Sequence, residues 1–87
     1  MKLLIAEDDA SLKRFLFSIL QKNKYSVYAV DNGIDALDYL ETGLYDGAIL
    51  DIMMPKIDGI TVLETIRTVS NLPIILLTAK GQEEDKL

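Results

Sequence analysis

The sequence predicts an α/β fold, a parallel sheet with helices on both faces. Short apolar runs, typical of strands buried on both faces, alternate with segments whose apolar residues recur at helical spacing. The resulting order is β-α-β-α-β-α-β, and right-handed crossovers then place the strands in one parallel sheet. The 87 residues allow one small domain with a single core.

The first third of the chain contains two predicted strands and the helix between them. Apolar residues at 3–6 predict the first strand, which an acidic triplet at 7–9 ends. An amphipathic helix is predicted next, because apolar residues recur on one helical face. These residues are Leu12, Phe15, Leu16, Ile19 and Leu20. The second strand is predicted at 25–30.

Turn residues separate the remaining elements. The turn at 31–33 offers an N-cap to the helix that follows it. Pro55 breaks the chain after the third strand, and a turn at 71–73 precedes the fourth. The predicted elements are a helix ending near Gly43, a strand at 47–50, a helix opened by Asp58 and Gly59, and a strand at 74–77.

Composition excludes several classes of function. The chain contains no Cys and no His, which excludes thiolate chemistry, a Ser-His-Asp site and the usual zinc sites, so any metal must be a hard cation bound by oxygen. A net charge of −5 without a basic stripe argues against direct contact with nucleic acid. The longest apolar run is 72–77, far short of the roughly 20 residues that span a bilayer. We therefore expect no membrane segment and a cytoplasmic location.

Carboxylates follow the ends of two predicted strands. Glu7, Asp8 and Asp9 come directly after the first strand, and Asp51 ends the third. Ligands of parallel α/β sheets bind at the carboxyl ends of strands, so these groups converge if strands one and three are neighbours. Such close carboxylates repel one another unless a cation joins them, and Mg²⁺ suits a set of oxygen ligands. Capping of the first helix is the alternative role, which we favour for Asp9 alone.

Asp51 differs from the other carboxylates because it directly follows a buried strand. A carboxylate held there beside a metal can attack phosphorus and form an aspartyl phosphate. Thr78 ends the neighbouring strand and could offer its hydroxyl to a phosphoryl oxygen. It could equally be a β-branched strand residue whose hydroxyl is bonded locally.

Three motifs resemble the receiver domain of two-component response regulators. They are LIAED at 4–8, DIMMPKIDG at 51–59 and LTA at 77–79, in the family's order and on the expected elements. The middle motif matches the family's D-x-x-M-P-x-x-D-G pattern throughout. The Glu-Asp pair and the LTAK run are most similar to the subfamily that carries a winged-helix DNA-binding domain and regulates transcription.

The resemblance implies a flavodoxin-like (CheY-like) fold with strand order 2-1-3-4-5, and it also implies roles for individual residues. A sensor histidine kinase would phosphorylate Asp51, with Mg²⁺ as cofactor. The implied metal ligands are Asp8, Asp51 and the Met53 backbone carbonyl, with Glu7 acting on the metal through water. Thr78 would bond the phosphoryl group, and Ala79 would leave room for it. Pro55 and Gly59 would shape the loop after Asp51. Enzymatic activity would be limited to phosphorylation and dephosphorylation of the chain itself.

The resemblance covers all 87 residues but only four of the family's five βα units. We therefore interpret 1–87 as a truncated receiver domain, with the fifth strand, its lysine and the last helix expected beyond Leu87. Lys80 is not that lysine, because it follows the fourth strand. The apolar surface left open should favour a homodimer or higher oligomer, with exchange of elements as one route.

Other functions are also open to this fold. The main alternative is a signalling-inactive fragment that folds by self-association and at most binds a divalent cation. A flavin- or nucleotide-binding module is disfavoured, because acidic residues stand where a Gly-rich phosphate loop would follow the first strand. A dehalogenase-type phosphatase would need a second Asp where this chain has Met53.

Overall fold

The computed structural model describes residues 1–77, and it contains four strands and three helices in alternation. The predictions made for Thr78, Ala79 and the segment 80–87 lie outside the described residues. The elements are β1 (Lys2–Ala6), α1 (Ala10–Lys22), β2 (Ser26–Val30), α2 (Gly33–Leu40), β3 (Gly47–Asp51), α3 (Gly59–Ile66) and β4 (Ile74–Leu77).

The strands form one parallel sheet in the order β2-β1-β3-β4. Ala6 at the end of β1 pairs with Leu50 of β3, and Asp51 pairs with Leu77 of β4. The predicted α/β fold and its flavodoxin-like strand order are confirmed for these four strands. Because β1 and β3 are neighbours, the residues that follow them meet at one edge of the sheet.

The α2 and α3 face of the sheet carries the main core. Apolar side chains of β1 and β3 pack there against small and branched residues of the two helices, and partly buried residues such as Ile74 and Leu76 of β4 surround them. The buried cluster consists of Leu4, Ala6, Val30, Ala36, Leu40, Ala48, Leu50, Val62 and Ile66. Its strand members alternate along each strand, as expected when successive side chains point to opposite faces.

The opposite face, which packs against α1, is less well covered. None of the α1 residues is fully buried, and Phe15 on its predicted apolar face is 59% exposed. An apolar cavity of about 270 Å³ lies beside the helix, with Leu3, Leu20, Ile49 and Ile75 among its lining residues. The amphipathic pattern is therefore present, but within residues 1–77 a single helix covers this face whereas two cover the other.

Local hydrogen bonds explain where the helices and β2 begin. The Asp9 side chain accepts bonds from the Ser11 and Leu12 amides at 2.9 and 3.1 Å, so Asp9 caps α1 as expected. Asn32 caps α2, and Asp58 caps α3. Strand β2 begins one residue later than the predicted 25–30, because the Tyr25 amide instead donates to the Leu20 carbonyl at the end of α1.

None of the helices in the described part of the chain is both long and apolar enough to cross a bilayer. The longest, α1, has 13 residues.

Gly59 allows α3 to start against the end of β3. A Cβ at this position would collide with the Asp51 carbonyl, whereas a Cβ at Gly43 would meet nothing within 4 Å. Gly43 instead has a left-handed φ of 76°.

We expect Gly59→Ala to lower the free energy of unfolding by about 3 kcal/mol through overpacking. The matched control, Gly43→Ala, should lose only about 1 kcal/mol from backbone strain. Urea unfolding measures both, and equal losses would contradict the proposed close approach.

Candidate functional site

Three carboxylates meet where β1 and β3 end. Glu7, Asp8 and Asp51 each offer an oxygen that lies within 4.8 Å of the others. The pairing of Ala6 with Leu50 produces this arrangement, because the next residue on each strand is a carboxylate. The predicted convergence is therefore present in the structure, without Asp9, whose side chain caps α1.

Asp51 is held at the rim of the core. Asp51 follows the buried Leu50 in the chain and is itself only 4% exposed. The Met53 amide donates a hydrogen bond of 3.2 Å to Oδ1 of Asp51, which fixes the orientation of the carboxylate. The Ile52 amide donates to the Leu77 carbonyl at 3.0 Å and extends the β3–β4 pairing past Asp51. Asp51 is thus a buried carboxylate in a defined backbone frame.

Glu7 is the most deeply buried member of the cluster, with 2% of its surface exposed. Oε2 accepts a 2.9 Å hydrogen bond from the Asp9 amide, while Oε1 is buried without a hydrogen-bond partner. Burial raises the pKa of Glu7 to about 7; the Asp9 hydrogen bond opposes this shift, and the nearby charges of Asp51 and Asp8 add to it. A proton or a cation is therefore needed to stabilise Glu7 in this position.

Asp8 is exposed and opens the cluster to solvent. A cavity of about 450 Å³ leads to it, lined by Asp8, Ile52, Met53, Met54, Pro55 and Asp58. A small ion or a phosphoryl group has room to approach from this side. The two buried carboxylates then lie behind the exposed one.

The three residues fit a hard divalent cation. Carboxylate oxygens are the ligands that Mg²⁺ prefers, and the unpartnered Oε1 of Glu7 is a buried acceptor that a cation or its water would satisfy. A cation would also reduce the mutual repulsion of three carboxylates. The donor set excludes thiolate and imidazole ligands, since the sequence contains neither Cys nor His.

Backbone contacts hold the loop after Asp51. The Gly33 amide donates to the Pro55 carbonyl at 3.4 Å, and the Gly59 amide donates to the Ile52 carbonyl at 3.0 Å. A Cβ at Gly33 would collide with the Ile57 carbonyl, so this glycine is needed for the loop to pack against α2. Lys56 has a left-handed φ of 75°, which is unfavourable for a residue with a side chain.

Sequence reasoning missed the contributions of Gly33 and Lys56 to the loop. Gly33 was interpreted as a turn residue, although a glycine directly after an N-cap could have indicated a close backbone approach. No signal in the sequence points to the left-handed Lys56. Leu77, the residue before Thr78, pairs with Asp51 across the β3–β4 ladder.

The fold and the site together define a parallel α/β domain with an acidic cluster at the carboxyl ends of β1 and β3, where such sheets bind their ligands. A family model, the response regulator receiver domain, matches residues 3–87. The chain therefore belongs to the receiver domains of two-component response regulators.

The curated relatives are transcriptional regulators that are longer than this chain. The transcriptional regulatory protein DltR of Streptococcus agalactiae is 44% identical over 88 residues, covering 100% of this chain and 39% of the relative. The CpxR homolog of Haemophilus influenzae is 41% identical over 86 residues, covering 99% of this chain and 37% of the relative. The chain thus spans about two fifths of the length of these relatives.

Solved structures include TrrA of Thermotoga maritima in two complexes. TrrA with Mg²⁺-BeF superposes with a TM-score of 0.85 at 37% identity, over 92% of this chain and 70% of TrrA. TrrA bound to the histidine kinase ThkA superposes with a TM-score of 0.85 at 34% identity, over 99% of this chain and 75% of the compared chain. Both likenesses agree with the family assignment.

The raised pKa of Glu7 predicts how stability depends on pH in metal-free protein. Between pH 4.5, the ordinary pKa, and about 7, folded Glu7 keeps a proton that the unfolded chain has lost. This contribution to stability therefore falls as pH rises through that range. The Glu7→Gln variant has no group that titrates at this position. We therefore expect its free energy of unfolding, minus that of the unsubstituted chain, to rise by about 3 kcal/mol between pH 4.5 and 8. Chemical denaturation in a chelating buffer measures it, and a pH-independent difference would contradict the raised pKa.

Proposed function

We propose that this receiver domain accepts a phosphoryl group on Asp51 from a sensor histidine kinase, with Mg²⁺ bound at the acidic cluster. The main observation in support is that Asp51 is a buried, oriented carboxylate. One of its oxygens lies within 4.8 Å of a carboxylate oxygen of Glu7 and of Asp8. Family membership supports the same reaction.

Asp51 is the proposed nucleophile. Its Oδ1 accepts the Met53 amide hydrogen bond, and this contact leaves Oδ2 to attack phosphorus. A bond forms between Oδ2 and phosphorus as the bond from phosphorus to the donor nitrogen breaks. The chain contains no His, so a phosphohistidine donor must lie outside these 87 residues. The complex of TrrA with the kinase ThkA supports such a partner.

The proposed metal-binding roles are those that the family resemblance implies: Asp8, Asp51 and the Met53 carbonyl would bind Mg²⁺ directly, and the buried Glu7 would act through water. The clustering of the Glu7, Asp8 and Asp51 carboxylates supports these roles. When bound, the cation neutralises charge on the incoming phosphoryl group. The TrrA structure with Mg²⁺-BeF supports this cofactor. Within the chain, the Asp9 amide keeps Glu7 turned toward the cluster.

The remaining roles concern residues and partners outside the described structure. We propose that the Thr78 hydroxyl bonds the phosphoryl group and that Ala79 leaves space for it, since Leu77 pairs with Asp51. The regulators named among the relatives support a role in transcriptional control. We propose that this segment acts in the cytoplasm and does not itself contact DNA.

Self-association without signalling is the second candidate function. The incompletely covered α1 face favours it, because Phe15 on α1 is 59% exposed and Ile75, which lines the apolar cavity, is 60% exposed. A second copy would bury this surface. Phosphorylation of the folded chain separates the two candidates.

Asp51→Asn should abolish phosphorylation. Incubation of the full chain with Mg²⁺ and a small phosphodonor should add one phosphoryl group, measured by intact mass. The matched control is Asp38→Asn, because Asp38 is an exposed carboxylate on α2, away from the cluster, and should leave the adduct unchanged. Absence of an adduct in folded, unsubstituted protein would favour the self-associating fragment instead.

Asp8→Asn should weaken Mg²⁺ binding by about tenfold or more, because it removes a charged ligand. The control is Asp58→Asn, since Asp58 lines the same cavity but caps α3, and Asn retains the cap. Titration calorimetry measures both affinities. If both variants lose affinity equally, diffuse negative charge rather than the cluster binds the cation.

A further inference from the structure

The methionines of this chain are concentrated at the acidic site. Two of the three, Met53 and Met54, line the cavity that leads to Asp8. Met53 is 65% exposed, whereas Met54 packs against the core. Met1, which is 73% exposed, precedes β1 at the opposite end of the sheet. The site therefore has one largely exposed thioether, that of Met53, and one partly buried thioether, that of Met54.

The composition makes this thioether chemically prominent. Since the sequence contains no Cys, His or Trp, the methionine sulfurs are the side chains most easily oxidised by peroxides. Exposure then selects among them, because the oxidant must reach sulfur. Met53 meets both conditions within the cavity of the acidic site, whereas the partly buried Met54 is less accessible.

We propose that Met53 is a peroxide-sensitive modification site whose oxidation to the sulfoxide strengthens cation binding at the acidic cluster. The oxidant is hydrogen peroxide. The sulfur gives up two electrons and forms a bond to one peroxide oxygen, the O–O bond breaks, and the second oxygen leaves as water. Methionine sulfoxide reductases reverse this modification, so the site can act as a switch.

The expected effect on the cation follows from the change in the donor atom. A thioether is a soft, weak acceptor that Mg²⁺ does not select, whereas a sulfoxide oxygen is a polar acceptor suited to a hard cation or its bound water. Met53 lines the same cavity as Asp8, the exposed member of the cluster. Oxidation thus adds an oxygen acceptor to the rim of an anionic site. This step rests on the proposed cation site.

The experiment uses the full chain treated with hydrogen peroxide, with peptide mapping by mass spectrometry. Met53 should gain one oxygen well before Met54, with exposed Met1 as the reference for an accessible thioether. Titration calorimetry with Mg²⁺ should then give a dissociation constant about threefold lower after oxidation, the effect of one additional hydrogen bond. A Met53→Leu variant should lose this response, and Met1→Leu should keep it. Met53→Gln, which places an amide oxygen at the rim, should bind Mg²⁺ more tightly without peroxide.

The outcomes separate this inference from the proposed function. Oxidation of Met54 as fast as Met53 would overturn it, as would unchanged or weaker Mg²⁺ binding after Met53 alone is oxidised. In those cases Mg²⁺ binding by unoxidised protein would still support the proposed function. Absence of Mg²⁺ binding before oxidation would count against the proposed function itself, while peptide mapping would still report the reactivity of Met53.

Discussion

Electrostatic repulsion among three carboxylates is the constraint on which the site depends. Glu7 and Asp51 are almost fully buried, and neither can turn into solvent without giving up its place beside the strand ends. Burial of like charges is costly, and the fold offsets only part of the cost with amide hydrogen bonds from Asp9 and Met53. The remaining demand for positive charge is the physical basis for the proposed cation site at this edge of the sheet.

Much of this architecture could be predicted from the sequence because it follows from short-range patterns. The apolar runs before Glu7 and Asp51 predicted two buried strands, and the rule for parallel sheets then brought their following carboxylates together. Asp9 was separated from the cluster on the same basis, since a carboxylate before a helix is a natural cap. The spacing of apolar and acidic residues along the chain was thus enough to predict both the strands and the acidic cluster.

The features that could not be predicted depend on residues distant in sequence. The close approach of Gly33 to the Ile57 carbonyl exists only once α2 and the loop after β3 have packed together. The left-handed Lys56 is imposed by the same loop, against its own backbone preference. Periodicity likewise identified the apolar side of α1 but could not reveal that Phe15 stays largely exposed, because coverage depends on what packs beside the helix.

The loop after Asp51 is held by main-chain contacts on both sides. Gly33 bonds to Pro55, Gly59 bonds to Ile52, and the two glycines let backbone touch backbone. The exposed side chains of Met53 and Lys56 therefore contribute little to the loop's shape, whereas Met54 packs against the core. Substitution at the two exposed positions would change the chemical character of the rim while the Asp51 carboxylate stays in place. The backbone thus sets the geometry of the site separately from the chemistry of its rim.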